Sequence, residues 1–137
     1  MKNKLKVQVI IQKDLNEVWE KLTQPAHITQ WCYASDDWHA PNAENDLRLG
    51  GKFKTRMEAK DGSFGFDFEG IYTSVSIPHF YRYELADGRV IDVELKALEK
   101  GTEVTEIFDP ENENPVDMQT AGWQAILNNF KHYCEKE

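Results

Sequence analysis

Between Lys52 and Phe108 the sequence is a succession of short segments in which apolar and polar residues alternate, broken at Gly62, Gly88 and Gly101, and it runs into one long amphipathic stretch after Asn114. Alternation with period two lays an apolar row along one face of a strand, whereas the last stretch repeats at helical spacing. A chain of this kind builds an antiparallel sheet with one apolar face and covers that face with its own long helix, an α+β arrangement.

The first alternation sets Leu5, Val7, Val9 and Ile11 against Lys6 and Gln8, a half-buried strand. Asp14 is a good N-cap with Glu17 three residues on, and Leu15, Val18, Trp19 and Leu22 recur at helical spacing, which predicts a short helix. Pro25 opens a second short helix carrying Ile28 and Trp31. The stretch from Ala34 to Asn45, with its Asp, Pro and Asn residues, reads as a loop. Gly50-Gly51 separates Asp46–Leu49 from a strand at Lys52–Ala59, in which Phe53, Thr55 and Met57 share a face. Asp61-Gly62 reads as a two-residue hairpin turn into a strand from Phe64 to about Val75. That strand begins with Phe64, Phe66 and Phe68 on one face and changes parity to Ile71 and Val75, with Gly70 the expected bulge. Further strands follow at His79–Ala86, Arg89–Leu98 and Thr102–Phe108. In the last element Asn114 is the expected N-cap and Pro115 the first residue, and Gln119, Trp123, Ile126, Phe130 and Tyr133 form one stripe. A helix of about 18 residues crosses a small sheet and leaves a groove between itself and curved strands.

Behind the alternating first strand, the order of Glu17-Val18-Trp19, Pro25 through Trp31, Leu47-Arg48-Leu49-Gly50-Gly51-Lys52-Phe53, Phe68-Glu69-Gly70 and Gly122-Trp123 resembles the heat-shock-protein-90 ATPase activator homologue family of the START-like (SRPBCC) superfamily. The resemblance covers essentially the whole chain, taken as one START-like domain over residues 1–137. It implies a helix-grip fold, a curved antiparallel sheet of about seven strands around a long C-terminal helix, with two short helices after the first strand. It also implies binding of a hydrophobic small molecule such as a lipid, sterol or polyketide between sheet and helix. Some branches of the superfamily are enzymes, yet they share no universal catalytic motif, so no catalytic residue carries over. No counterpart of the eukaryotic co-chaperone's separate N-terminal chaperone-binding domain is read, so ligand binding is expected in place of direct ATPase activation.

Charge limits the partners. A net charge of −8 and a pI near 5.0 repel nucleic acid and anionic membranes, and no apolar run approaches a bilayer span, so neither nucleic-acid binding nor membrane insertion is expected. Only Cys32 and Cys134 occur, with no apolar N-terminal signal segment, which predicts a soluble cytoplasmic protein without a disulfide. Together with His27, His39, His79 and His132 these cysteines fall at no metal-ligand spacing, so neither a metal nor another cofactor is expected.

The sixteen aromatic residues are many for a domain of this size. Phe53, Met57, Phe64, Phe66, Phe68, Tyr81, Tyr83, Trp123, Ile126 and Phe130 have the parity that points toward the helix, and Trp31 and Trp38 stand near an entrance. Any one of them alone reads as core; as a set they read as the lining of an apolar cavity. Two polar residues interrupt that pattern, Gln119 within the helix stripe and Glu106 between Val104 and Phe108. Each either finds a partner inside the protein or faces a wet cavity, and a buried Glu106 would carry a raised pKa. Three functions stay open: a non-catalytic, stress-related carrier or sensor of a small apolar or aromatic molecule; an enzyme of cyclase, dehydratase or hydrolase type using Glu106 or Tyr81; and a chaperone-associated interaction module with a filled core. If Phe64 to Phe68 face outward, they form a surface for self-association.

Overall fold

The computed structural model describes residues 3–136. Along the chain follow strand β1 (Leu5–Ile11), helices α1 (Leu15–Thr23) and α2 (Pro25–Trp31), and strands β2 (Trp38–Asn45), β3 (Lys52–Ala59), β4 (Gly65–Ser76), β5 (Phe80–Glu84), β6 (Val90–Leu98) and β7 (Gly101–Phe108). The last element is the long helix α3 (Val116–Glu135). The strands form one curved antiparallel sheet of seven in the order β1-β7-β6-β5-β4-β3-β2, so β2 to β7 meander and β1 returns beside β7. This is the helix-grip arrangement expected from the sequence.

Local chemistry explains the helix starts. The Asp14 carboxylate accepts the Glu17 backbone N–H at 2.8 Å, while Glu17 pairs with Lys21 one turn later at 2.9 Å instead of reaching back to the cap. Pro25 occupies the first turn of α2, and the Trp31 indole N–H donates to the Lys21 carbonyl at 2.9 Å, tying α2 to α1. At α3 the expected cap is displaced by one residue. Pro115, with extended backbone, is the N-cap and Asn114 lies outside the helix without a capping side chain.

Three sequence readings are corrected in the sheet. Residues 38–45 are not a loop but β2, which pairs with β3 from Trp38 opposite Ala59 to Asn45 opposite Phe53, with a shift of register between His39 and Asn42. Its Pro41 falls within that irregularity, on the sheet's edge strand, where proline costs the ladder least. The Asp61-Gly62 turn is longer than two residues, because the Ala59 N–H donates to the Phe64 carbonyl and residues 60–63 form the loop. Gly70 is not the bulge. It stands in register opposite Phe53, and the shift comes between Tyr72 and Ser74. Phe66, Phe68, Gly70 and Tyr72 therefore share the inward face, Ile71 is exposed, and Val75 turns inward only after the shift. A Cβ on Gly70 would sit 2.9 Å from the Phe53 ring and 3.0 Å from the Glu84 carbonyl oxygen, so glycine is what lets Phe53 lie against the sheet.

The inward side chains stack in cross-strand rows. One row runs Leu5, Phe108, Ile91, Tyr83 and Tyr72; the next runs Val7, Glu106, Val93, Tyr81 and Val75; a third runs Val9, Val104 and Leu95. Helix α3 packs against β1, α1 and α2 and drives Leu127, Phe130 and Cys134 into a dense core with Val18 and Leu22.

Candidate functional site

Where α3 parts from β3 and β4, a cavity of about 300 Å³ remains, bounded by α1, α2, α3, the end of β2 and the inward faces of β3, β4, β5 and β7. Trp31, Phe53, Met57, Phe66, Phe68, Tyr81, Tyr83, Glu106, Trp123 and Ile126 line it, ten of the residues expected from the sequence. The rings meet edge to face: Phe53 lies 4.7 Å from Tyr83, and Phe68 reaches across to Trp123 at 6.2 Å. Trp123 itself is stacked on Phe108 at 4.0 Å, which fixes the indole against the sheet. A wider depression of about 720 Å³ at the β3–β4–β5 edge is ringed by Glu44, Lys52, Lys54, Glu69 and Glu84, and of the expected residues only Phe53 touches it.

Four expected residues lie elsewhere. Phe130 is fully buried against Trp31 at 4.7 Å, in the core beneath the cavity. Trp38 and Phe64 form an outer cluster with Phe66, ring centroids about 6 Å apart, and Phe64 is 62% exposed. Of that cluster only Phe66, itself 39% exposed, also reaches the cavity, and so marks its mouth. Gln119 finds its partners within the protein: its amide N–H groups donate to the carbonyls of Glu111 and Asn114, at 3.1 and 2.8 Å, and its oxygen accepts the Glu111 N–H at 2.8 Å. It pins the β7–α3 loop.

The sequence reading missed Leu22, Ile28, Cys32, Asn45, Thr55, Tyr72 and Arg89 as lining residues. Thr55 shares the face of Phe53 and Met57, a visible signal. Tyr72 was hidden by placing the bulge at Gly70, and Asn45 by reading β2 as a loop. The Tyr72 hydroxyl donates to the Asn45 side-chain oxygen at 2.5 Å, while the Asn45 amide donates to the Thr23 carbonyl at 2.6 Å, a chain that fastens β2 to α1.

Three polar groups of the wall have no such partners. Among the described residues no protein group hydrogen-bonds the Glu106 carboxyl or the Tyr81 and Tyr83 hydroxyls. Glu106 is half-buried, and burial raises its pKa from 4.5 to about 7. Burial, with a smaller push from Glu106, raises the Cys32 thiol to about 12, and burial holds both tyrosines well above their ordinary value. Thiol and phenols are thus protonated at neutral pH, and Glu106 is the wall residue that titrates there. Arg89, at the cavity's edge, is held by Asp87 at 2.8 Å. Among the described residues no three His, Cys, Asp or Glu side chains converge to hold a metal.

The model of the family described as Activator of Hsp90 ATPase homolog 1-like protein matches residues 14–135. The chain belongs to this family. Members are commonly associated with binding ligands or chaperones. The solution structure of the AHSA1-like protein from Aeromonas hydrophila is 41% identical, with a TM-score of 0.91 over 97% of this chain and 92% of that one. A protein from Cytophaga hutchinsonii is 44% identical, with a TM-score of 0.81 over 98% of this chain and 92% of that one. The crystal structure of a Nitrosomonas europaea protein, 20% identical with a TM-score of 0.84 over 97% of this chain and 94% of that one, shares the fold. No match was found among curated proteins. No helix among the described residues is long and apolar enough to cross a membrane.

Proposed function

We propose that this protein holds one small apolar or aromatic molecule in the cavity between the sheet and α3, as a non-catalytic cytoplasmic carrier or sensor. The observation that supports this reading is the cavity itself, whose wall is mostly aromatic and aliphatic with a few polar groups. Its volume of about 300 Å³ stands at the lower end of the range for ligand pockets. A compact ring system suits that space better than a long acyl chain or an entire sterol. Binding draws on apolar area removed from water, about 25 cal/mol per Å² before the costs of association are subtracted. The free thiols of Cys32 and Cys134 suit a reducing compartment.

Native mass spectrometry of the protein purified from its own cells, followed by extraction and identification of bound molecules, tests the reading. A co-purifying apolar molecule of compact size at near-stoichiometric occupancy is the expected result. An empty protein that also gives no thermal shift with any member of a panel of aromatic compounds and lipids contradicts it and favours a protein partner.

A further inference from the structure

The wall of the cavity carries one acidic group where the sheet pattern calls for an apolar one. Glu106 stands in the cross-strand row Val7, Glu106, Val93, Tyr81, Val75, and every other member of that row is apolar or aromatic. A carboxylate without a protein partner is unfavourable on a half-buried wall, so a fold needing only a packed core would hold an aliphatic residue there. The carboxyl lines the cavity and no protein group among the described residues bonds it. The groups that share the wall leave its charge unanswered. Cys32 from the end of α2 and Tyr81 and Tyr83 from β5 are neutral, Trp123 and Ile126 from α3 are uncharged, and Arg89 is engaged by Asp87. Phe53, Tyr81 and Tyr83 add aromatic rings to the same wall.

From this geometry we infer that the molecule held in the cavity is a compact apolar or aromatic amine, whose protonated nitrogen sits against the Glu106 carboxylate while its ring fills the aromatic part of the wall. The inference rests on the binding function proposed above and names the chemical class of the ligand. Pairing an ammonium with an enclosed carboxylate supplies the missing hydrogen-bond donor and the missing charge together. A ligand carboxylate at the same place would set two like charges side by side.

Three probes with one ring system separate these outcomes: naphthylmethylamine, naphthylmethanol and naphthoic acid, titrated into the intact protein by calorimetry at about pH 8, where Glu106 is charged. The amine is expected to bind at least about tenfold more tightly than the acid and more tightly than the alcohol. In Glu106→Gln the preference for the amine over the acid is expected to vanish. In the unaltered protein the preference is expected to shrink on lowering the pH from about 8 to about 5.5, as Glu106 takes up its proton, and this holds the test open should the variant fail to fold. Equal affinity for amine and acid, or an amine preference that survives in Glu106→Gln, overturns the inference while leaving cavity binding intact. If none of the three probes binds, the cavity reading fails and the inference falls with it.

Discussion

The two halves of the groove between sheet and helix are both largely apolar but packed to different ends. Under α3, beside β1 and β7, the side chains of Val9, Ile11, Val104, Leu127, Phe130 and Cys134 are buried in mutual contact. Beside β3 and β4, Phe53 and Phe68 are only half-buried and surround open space. The difference follows from where the helix lies. Helix α3 packs along β1, so the far side of the curved sheet is spanned only by the reach of Phe68 to Trp123 and by α2. What separates core from cavity is where α3 packs on the sheet.

Truncating one ring in each half is the strongest way to break this contrast. Phe130→Ala should lower stability by about 3–5 kcal/mol, the cost of an unfilled space in a close-packed core. Phe68→Ala should cost only about 1–2 kcal/mol, since its ring is half exposed to space already present. Urea denaturation of the two variants checks this, and equal losses would mean that both halves are packed alike.

Glu106 sharpens the contrast through pH. Its carboxyl is raised from 4.5 to about 7, so the folded protein keeps that proton over a range where the unfolded chain has lost it. Its contribution to stability is therefore fully present below the unfolded value and is lost as pH rises through about 7. Asp61, Asp87, Glu111 and Glu135 are lowered by hydrogen bonds, so their contribution is lost only at acid pH, below that window. Replacing Glu106 with Leu should flatten the decline between about pH 5 and pH 8 and raise stability at the upper end by about 1–3 kcal/mol. A variant less stable than the parent at pH near 8 would show that Glu106 is held by a partner.

Gly70→Ala probes the open half more gently. The added methyl meets both Phe53 and the Glu84 carbonyl, so it should displace the Phe53 ring, cost about 1 kcal/mol and weaken binding of a naphthalene probe severalfold. Unchanged binding in calorimetry would remove Phe53 from the site. The smallest effect is expected at Gln119. Its change to Ala loosens the β7–α3 loop by about 0.5–1.5 kcal/mol and leaves probe affinity unaltered, because its hydrogen bonds end on loop backbone outside the cavity.

Much of this molecule was legible in the sequence because period-two alternation and helical spacing are backbone properties. They place Phe53, Met57, Phe68, Tyr81, Tyr83 and Glu106 on the inward face without reference to any neighbour. What was not legible depends on partners far along the chain. The edge strand β2 has no alternation of its own and is a strand only because β3 offers its ladder. The shift in β4 falls after Tyr72, where β5 sets the register, so the glycine that drew attention, Gly70, serves ring packing instead. Phe130 and Trp123 share one helical stripe, yet Phe130 packs on Trp31 in the core while Trp123 lines the cavity, a division set by distant partners. Gln119 was rightly marked as a polar interruption, but its answer was a loop, not a ligand.

The most direct measurement is an NMR titration of the isotopically labelled protein with naphthylmethanol, following side chains in the cavity and outside it. Saturable shifts at Phe53, Phe68, Tyr83 and the Trp123 indole, with Val9, Leu95 and Gln119 unmoved, are the expected result. Shifts confined to Trp38 and Phe64 on the outer rim, or no saturable shift at any concentration reached, would contradict the claim that this cavity is a binding site.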